Sequence, residues 1–155
     1  MGFFDQQIHG KLKQVGGFNV KFGSCLKVKS VRSQPKYTDS NGECLVTLIT
    51  LNEQTALIPG DYVYERMAND NNPWITSLPL GQYSALIVPH HGDKASANKV
   101  PFPVSASSSK AFFSAGNHKG FNHPTVWSLN AHKQRQFVVS HPQNLTDIVE
   151  FQLIP

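Results

Sequence analysis

Side chains that can bind a metal ion or move a proton follow three apolar runs in this sequence. They are Asp61, the adjacent pair His90 and His91, and His123. Carboxylate oxygens and neutral imidazole nitrogens are good zinc ligands. A short apolar run favours a buried strand, and the loop after a strand is open, so strand ends can hold such groups at one sheet edge. The pattern therefore predicts a metal site at strand ends.

Each of these signals also has a purely structural interpretation. An aspartate after a glycine is common in a turn or at a helix N-cap, and His123 before Pro124 can simply open a helix. The pair His90 and His91 is harder to explain as structure, because two neighbouring imidazoles both need partners. Three of the remaining four histidines, His9, His132 and His141, are interpreted as lying outside the site. The fourth is His118.

Substrate binding is assigned to Asn117 and His118, which lie between the third apolar run and His123. The amide of Asn117 can hold a substrate oxygen, and His118 is expected at the surface. Ser96 is expected either to cap a helix or to contact a phosphate. Asp93, directly after the His-His-Gly stretch, is expected to repel an anionic substrate or to attract the imidazole of His91.

The elements that position these residues alternate between strands and loops, with few helices. The predicted strands are Gly17–Phe22, Ser24–Val31, Cys44–Leu51, Ala56–Ile58, Ser84–Val88, Lys110–Ser114, Phe137–Ser140 and Ile148–Leu153. The predicted helices are Tyr62–Met67 and Thr125–Lys133, with Pro124 suited to the first helical position. Residues 69–73 are predicted to be a loop that ends at a proline. This order indicates an α/β fold whose strand ends share one edge.

The length of 155 residues fits a single domain, in which residues 1–16 form an N-terminal extension of unclear role. No stretch is long and apolar enough for a membrane helix, and no signal peptide is evident, so we expect a cytoplasmic protein without membrane contact. Cys25 and Cys44 lack zinc-type spacing and are expected to be reduced and buried.

The positive charge is concentrated early in the chain. The net charge is +4, and residues 11–36 contain seven Lys and Arg residues and no acid. Such a stretch can attract a phosphate-containing partner or a nucleic acid. Because these cations alternate with apolar residues, the solvated face of a strand is the favoured interpretation.

The order of the three motifs resembles the later half of the metallo-β-lactamase fold. The motifs are Gly60-Asp61, Pro89-His90-His91-Gly92, and Ser114-Ala115-Gly116-Asn117 leading to Asn122-His123-Pro124. The chain is most similar to the branch that contains the hydrolase domain of ComEC-type competence proteins and phosphorylcholine esterase-like enzymes, and the resemblance covers roughly residues 18–133. It implies a partial αββα sandwich, the C-terminal half of that fold.

The resemblance also implies a reaction and roles for the residues. Asp61 corresponds to a carboxylate that bridges two zinc ions, with manganese as the other candidate metal. His90 or His91 corresponds to a ligand of the second metal, and His123 to a histidine that assists at the substrate. The implied reaction is hydrolysis of a phosphoester or a related ester.

The chain lacks the His-x-His-x-Asp-His motif that supplies most ligands of the first metal in that family. The sequence is therefore interpreted as an incomplete hydrolase, completed by a partner chain or by a second copy of itself. The alternative is a non-catalytic interaction module that has kept the scaffold.

Overall fold

The computed structural model of the chain describes residues 17–23, 25–36, 42–115, 120 and 122–141. The strands in this part are β1 (Gly17–Phe22), β2 (Leu26–Arg32), β3 (Leu45–Leu51), β4 (Gln54–Ile58), β5 (Gln82–Tyr83), β6 (Ala85–Ile87), β7 (Phe102–Pro103), β8 (Lys110–Phe112) and β9 (Val138–Ser140). The α-helices are α1 (Tyr64–Met67), α2 (Pro73–Ser77) and α3 (Val126–Gln134), and 3₁₀ turns lie at Leu78–Leu80, Pro89–Gly92 and Ala95–Ala97.

Seven strands form one mixed sheet in the order β1-β2-β3-β4-β6-β8-β9. Strands β1 to β4 pair antiparallel in chain order. Phe22 faces Leu26 and Leu51 faces Gln54 across short hairpin turns, whereas β2 and β3 are joined by the longer connection 33–44. Strands β4, β6, β8 and β9 pair in parallel. A separate parallel pair is formed by β5 and β7. The predicted α/β class is confirmed in this coarse form.

The core lies against the middle of the large sheet. Leu57 of β4, Leu86 of β6 and Ala111 of β8 are fully buried, and they are neighbours across three parallel strands. Tyr64 of α1 and His132 of α3 pack into the same core, where each is fully buried. The sheet centre therefore has the continuous apolar character that parallel strands require when helices cover them.

Several local predictions differ from the structure. Pro73 does not end a loop but begins α2, because the Asn72 side chain accepts a hydrogen bond from the Trp74 N–H and caps the helix. Pro124 precedes α3, whose N-cap is Thr125. Cys25 is exposed and Cys44 is half-buried, so the prediction of buried thiols was wrong, while both cysteines are free of disulfides.

Three predictions fall outside the described residues: the extension 1–16, the strand Ile148–Leu153 and the substrate-binding pair Asn117 and His118. Within the described ranges, no helix has the length and apolar character needed to cross a membrane.

Candidate functional site

The parallel part of the sheet brings the predicted site residues to one edge. Parallel strands have their carboxyl ends on the same side, and β4, β6 and β8 run in parallel. Asp61 comes three residues after β4, and His90 and His91 come shortly after β6. The His90 N–H donates a hydrogen bond to the Gly60 carbonyl oxygen at 3.2 Å. This bond places His90 next to the turn that carries Asp61, which is half-buried.

Both histidines have a left-handed backbone. His90 has φ 46° and ψ 43°, and His91 has φ 55° and ψ 16°. For residues with a side chain this conformation costs about 1 to 2 kcal/mol each. The surrounding structure enforces it: Pro89 and Gly92 on either side of the pair are buried, and the Gly92 carbonyl oxygen accepts the Thr125 N–H at 2.8 Å. Strain of this kind concentrates at ligand-binding and active sites.

Asp93 orients the ring of His90. Its Oδ2 lies 3.2 Å from Nδ1 of His90, and its Oδ1 accepts the Ser96 N–H at 2.9 Å. Burial alone raises the pKa of Asp93, but the hydrogen bonds from Ser96 and the attraction of His90 outweigh burial and lower it below its ordinary value. An ionised carboxylate only accepts hydrogen bonds, so Nδ1 of His90 carries the proton and Nε2 carries the lone pair in the neutral ring.

Two expectations about this loop are corrected. Asp93 contacts His90, whereas the sequence suggested His91. Ser96 is fully buried, and its hydroxyl lies 2.7 Å from both the Pro89 carbonyl oxygen and Asp93 Oδ1. Its single proton serves these internal acceptors, so Ser96 fixes the loop and does not face a phosphate.

The carbonyl oxygen of Ser114 orients the ring of His91. This oxygen lies 3.1 Å from His91 Nδ1, and the Ser114 hydroxyl lies 3.3 Å from the same nitrogen. A carbonyl oxygen only accepts, so the first contact requires the proton on Nδ1 and leaves the lone pair of His91 on Nε2. Both adjacent histidines are therefore held through Nδ1, the arrangement in which Nε2 is basic enough to bind a metal.

His123 lies beside His90, with ring centroids 5.9 Å apart and ring planes tilted by 55°. It is half-buried, and a cis peptide bond links it to Pro124. Because Thr125 caps α3, His123 precedes the helix and does not open it. The structure thus brings His123 to the histidine pair, as the strand-end pattern predicted.

The carboxyl end of β9 contributes a histidine that the sequence interpretation set aside. His141 directly follows β9, and its Nε2 donates to the Ala115 carbonyl oxygen at 2.9 Å. It therefore stands at the same edge as His91, whose partner Ser114 is the neighbour of Ala115. The signal was present in the sequence, since a strand was predicted to end at Ser140.

The metal-ligand set is not assembled in the described part of the chain. Within residues 17–23, 25–36, 42–115, 120 and 122–141, no three His, Cys, Asp or Glu side chains are grouped closely enough to hold a metal ion. The chain matches no family model, no curated protein and no solved structure.

A cavity of about 350 Å³ lies away from this edge, at the opposite end of α3. It is lined by Ala97, Lys99, Val100, Ala131, Gln134 and Arg135. From Thr125 to Arg135 the helix rises about 15 Å, so this cavity is separate from the histidine loop.

Proposed function

We propose that the chain is a metal-dependent hydrolase of the metallo-β-lactamase type, acting on a phosphoester or a related ester. The observation that carries this proposal is the histidine pair: His90 and His91 lie on strained backbone, both are fixed through Nδ1, and Asp61 follows the turn bonded to His90. Two adjacent side chains keep this costly conformation only where the surrounding structure enforces it, and such strain clusters at ligand-binding and active sites.

The donor chemistry of the edge suits zinc. One carboxylate and two imidazoles with Nε2 lone pairs, those of His90 and His91, are ligand types that zinc prefers, and manganese accepts the same nitrogen and oxygen atoms. When bound, the metal lowers the pKa of a coordinated water and polarises the ester oxygen. In this proposal Asp61 would be the carboxylate ligand shared by the metal ions, and His90 or His91 would hold the second metal.

The remaining residues act on the substrate side. His123 stands beside His90 and gives or takes a proton at the leaving oxygen. Asn117 and His118 hold the substrate through the amide and the imidazole. Asp93 keeps the lone pair of His90 on Nε2, which makes it a positioning residue.

The proposed fold is the C-terminal half of an αββα sandwich, completed by a partner chain or a second copy. Support comes from the missing His-x-His-x-Asp-His motif and from Phe18 and Val20 on β1, which are 39% and 38% exposed at an end of the described sheet. Exposed apolar residues on a terminal strand favour association. Two cysteines without a disulfide support a cytoplasmic location.

Zinc binding measured by isothermal titration calorimetry tests the proposal. We expect weak zinc binding by the wild-type chain and at least a tenfold loss in Asp61→Asn and in His91→Gln. Glu53→Gln, an exposed carboxylate in the β3–β4 turn, is the matched control and should bind zinc as the wild type does. Slow zinc-dependent hydrolysis of bis(4-nitrophenyl) phosphate should be lost in the same two variants.

Equal zinc binding by wild type, Asp61→Asn and His91→Gln would contradict the proposal. The interaction module would then be the better description of this chain, because it needs the scaffold and not the metal.

A further inference from the structure

The first turn of α3 presents two large apolar side chains to solvent. Val126 is 70% exposed and Trp127 is 67% exposed. Tryptophan is usually well buried, because its large apolar surface contributes most when removed from water. The other tryptophan, Trp74, is half-buried and packs against the core. Trp127 therefore contributes little to the core, and its exposure calls for another explanation.

The position of Trp127 is fixed relative to the histidine loop. Thr125 donates its N–H to the Gly92 carbonyl oxygen at 2.8 Å and its hydroxyl to the same oxygen at 3.2 Å. These bonds join the start of α3 to the end of the His-His-Gly stretch. His123 lies two residues before Thr125, and Trp127 lies two residues after it. Trp127 thus belongs to the segment that is hydrogen-bonded to the end of the His-His-Gly stretch.

A second contact joins the same two segments. The Lys94 ammonium lies 5.7 Å from the centroid of the Trp127 ring, within cation–π range. Lys94 is exposed and directly follows Asp93, the residue that orients His90. An exposed ammonium and an exposed indole therefore face solvent together, next to the loop that carries the histidines.

This pair has a clear chemical preference. The ammonium attracts an anion, and the indole offers a flat apolar surface on which an aromatic ring can stack. A ligand with both features, an anionic group attached to an aromatic ring, satisfies both side chains at once. An alkyl anion satisfies only Lys94, and an uncharged ring satisfies only Trp127.

We propose that Trp127 and Lys94 form a subsite for the aromatic group of an anionic ester, so that the substrate class is an aryl phosphate or a similar aromatic ester. The ester part of this inference rests on the proposed hydrolase function. The recognition of an aromatic anion by the two side chains does not.

Two-dimensional ¹H–¹⁵N NMR provides the test, because the chain contains two tryptophans and therefore two indole N–H signals. The probe is phenyl phosphate, added to metal-free protein in the presence of a chelator. We expect the Trp127 indole signal to shift saturably while the Trp74 signal stays in place. Inorganic phosphate and phenol, at the same concentrations, should each move the Trp127 signal less than a third as far.

Variants separate the subsite from general binding. Trp127→Ala should weaken phenyl phosphate at least fivefold, and Lys94→Gln at least threefold, with Lys94→Arg restoring the affinity. Lys133→Gln, an exposed lysine in the last turn of α3, is the matched control and should bind as the wild type does. Equal shifts of both indole signals, or unchanged affinity in Trp127→Ala, would overturn the inference.

The failure of this subsite and the failure of the proposed function give different results. If the Trp127 shift is present but no zinc-dependent hydrolysis occurs, the subsite stands and the hydrolase proposal fails. If hydrolysis occurs and the KM values for phenyl phosphate and methyl phosphate are equal, the hydrolase proposal stands and the subsite is wrong.

Discussion

The two halves of the large sheet differ in where they place their polar side chains. In the antiparallel half, β1 to β4, successive strands run in opposite directions, so their carboxyl ends lie alternately on the two edges, and the lysines of β1 and β2 lie along the strands. In the parallel half, β4, β6, β8 and β9, every carboxyl end reaches one edge. Parallel topology therefore collects Asp61, the histidine pair and His141 at one edge, and the described residues of the antiparallel half form no comparable group of histidine and aspartate side chains.

Burial separates the two halves as well. The residues of β2 are mostly half-buried or exposed, whereas Ala85 and Leu86 of β6 and Ala111 and Phe112 of β8 are all buried. A sheet segment packed on both faces tolerates little movement. We infer that this rigidity is what holds His90 and His91 in their left-handed conformation, which a more exposed segment would relax.

The largest expected effect comes from adding one methyl group on the parallel side. Gly92 has φ +79°, and a Cβ there would lie 2.5 Å from Cδ1 of Phe113 and 2.9 Å from Cβ of Pro124. Overpacking and the left-handed backbone together should lower the free energy of unfolding of Gly92→Ala by roughly 4 kcal/mol relative to wild type. Urea denaturation measures this loss.

The matched control lies in the antiparallel half. Gly23, in the β1–β2 turn, has φ +63°, and its Cβ would meet nothing within 4 Å. Gly23→Ala should therefore cost only about 1 kcal/mol, the backbone part of the effect. If Gly92→Ala and Gly23→Ala lose similar amounts of stability, the two halves do not differ in how tightly they pack around these glycines.

The second-largest expected effect is a loss of folding stability in acid, and it arises from His132 on the parallel side of the molecule. His132 is fully buried; its Nδ1 donates to the Ser128 carbonyl oxygen at 2.8 Å, and its Nε2 accepts from the Tyr64 hydroxyl at 3.0 Å. Burial lowers the pKa of His132 from 6.5 to about 4. Below pH 6.5 the unfolded chain therefore binds a proton that the folded chain excludes, and stability falls as pH falls.

The decrease in the free energy of unfolding should begin near pH 6.5 and amount to roughly 3 kcal/mol by pH 4. Above pH 7 it should be absent. Unfolding free energies measured across this range in wild type and His132→Gln separate this contribution from that of the carboxylates. The variant should be less stable at pH 7 and should show a smaller slope. Parallel curves for the two proteins would mean that His132 titrates normally in the fold.

Sequence patterns predicted the strands of both halves better than the surroundings of the site. The strands β1, β3, β6 and β9 lie within a residue of their predicted bounds, because apolar periodicity and turn residues are local signals. The burial of His132 was not predicted, because its partners, Tyr64 and Phe113, are distant in the sequence. Helix α2 was missed because Pro73 was interpreted as a stop, although Asn72 before it is a good cap.

The same distinction applies to the candidate site. The strand-end pattern placed Asp61, His90 and His91 at one edge, since parallel pairing follows from the order of elements. It did not identify which carbonyl or carboxylate holds each ring. That choice depends on the left-handed backbone at His90 and His91; histidine is more common at positive φ than most residues, but its presence alone does not predict that conformation.

A smaller effect is expected from uncoupling Asp93 from His90. Asp93→Asn removes the charge that faces Nδ1 of His90 and weakens the acceptor of two contacts from Ser96. We expect a loss of about 1 to 2 kcal/mol at pH 7. The pKa of the Asp93 carboxyl is lowered in the fold, so the stability that it contributes is present at neutral pH and disappears in acid.

¹⁵N NMR of the histidine rings shows whether this loss concerns the site. The Asp93 carboxylate holds the proton of His90 on Nδ1, so Asp93→Asn should change the ¹⁵N chemical shifts of the His90 ring nitrogens, while those of His141, which is bonded to the Ala115 carbonyl oxygen, should stay constant. Unchanged ring shifts of His90 would mean that Asp93 acts on the loop through Ser96 alone.

The smallest effect is expected in the antiparallel half, from Lys29 on β2. Its ammonium lies 4.3 Å from the centroid of the Trp74 ring, so this lysine covers part of α2 as well as facing solvent. Lys29→Met keeps most of the apolar stem and removes the charge, and should cost about 0.5 kcal/mol. Lys27→Met, two residues earlier and exposed, should cost less than half of that. If the two variants are equally stable in urea, the early lysines are only a solvated strand face. If Lys29→Met lowers the free energy of unfolding by more than about 2 kcal/mol, the antiparallel half also depends on single side-chain contacts.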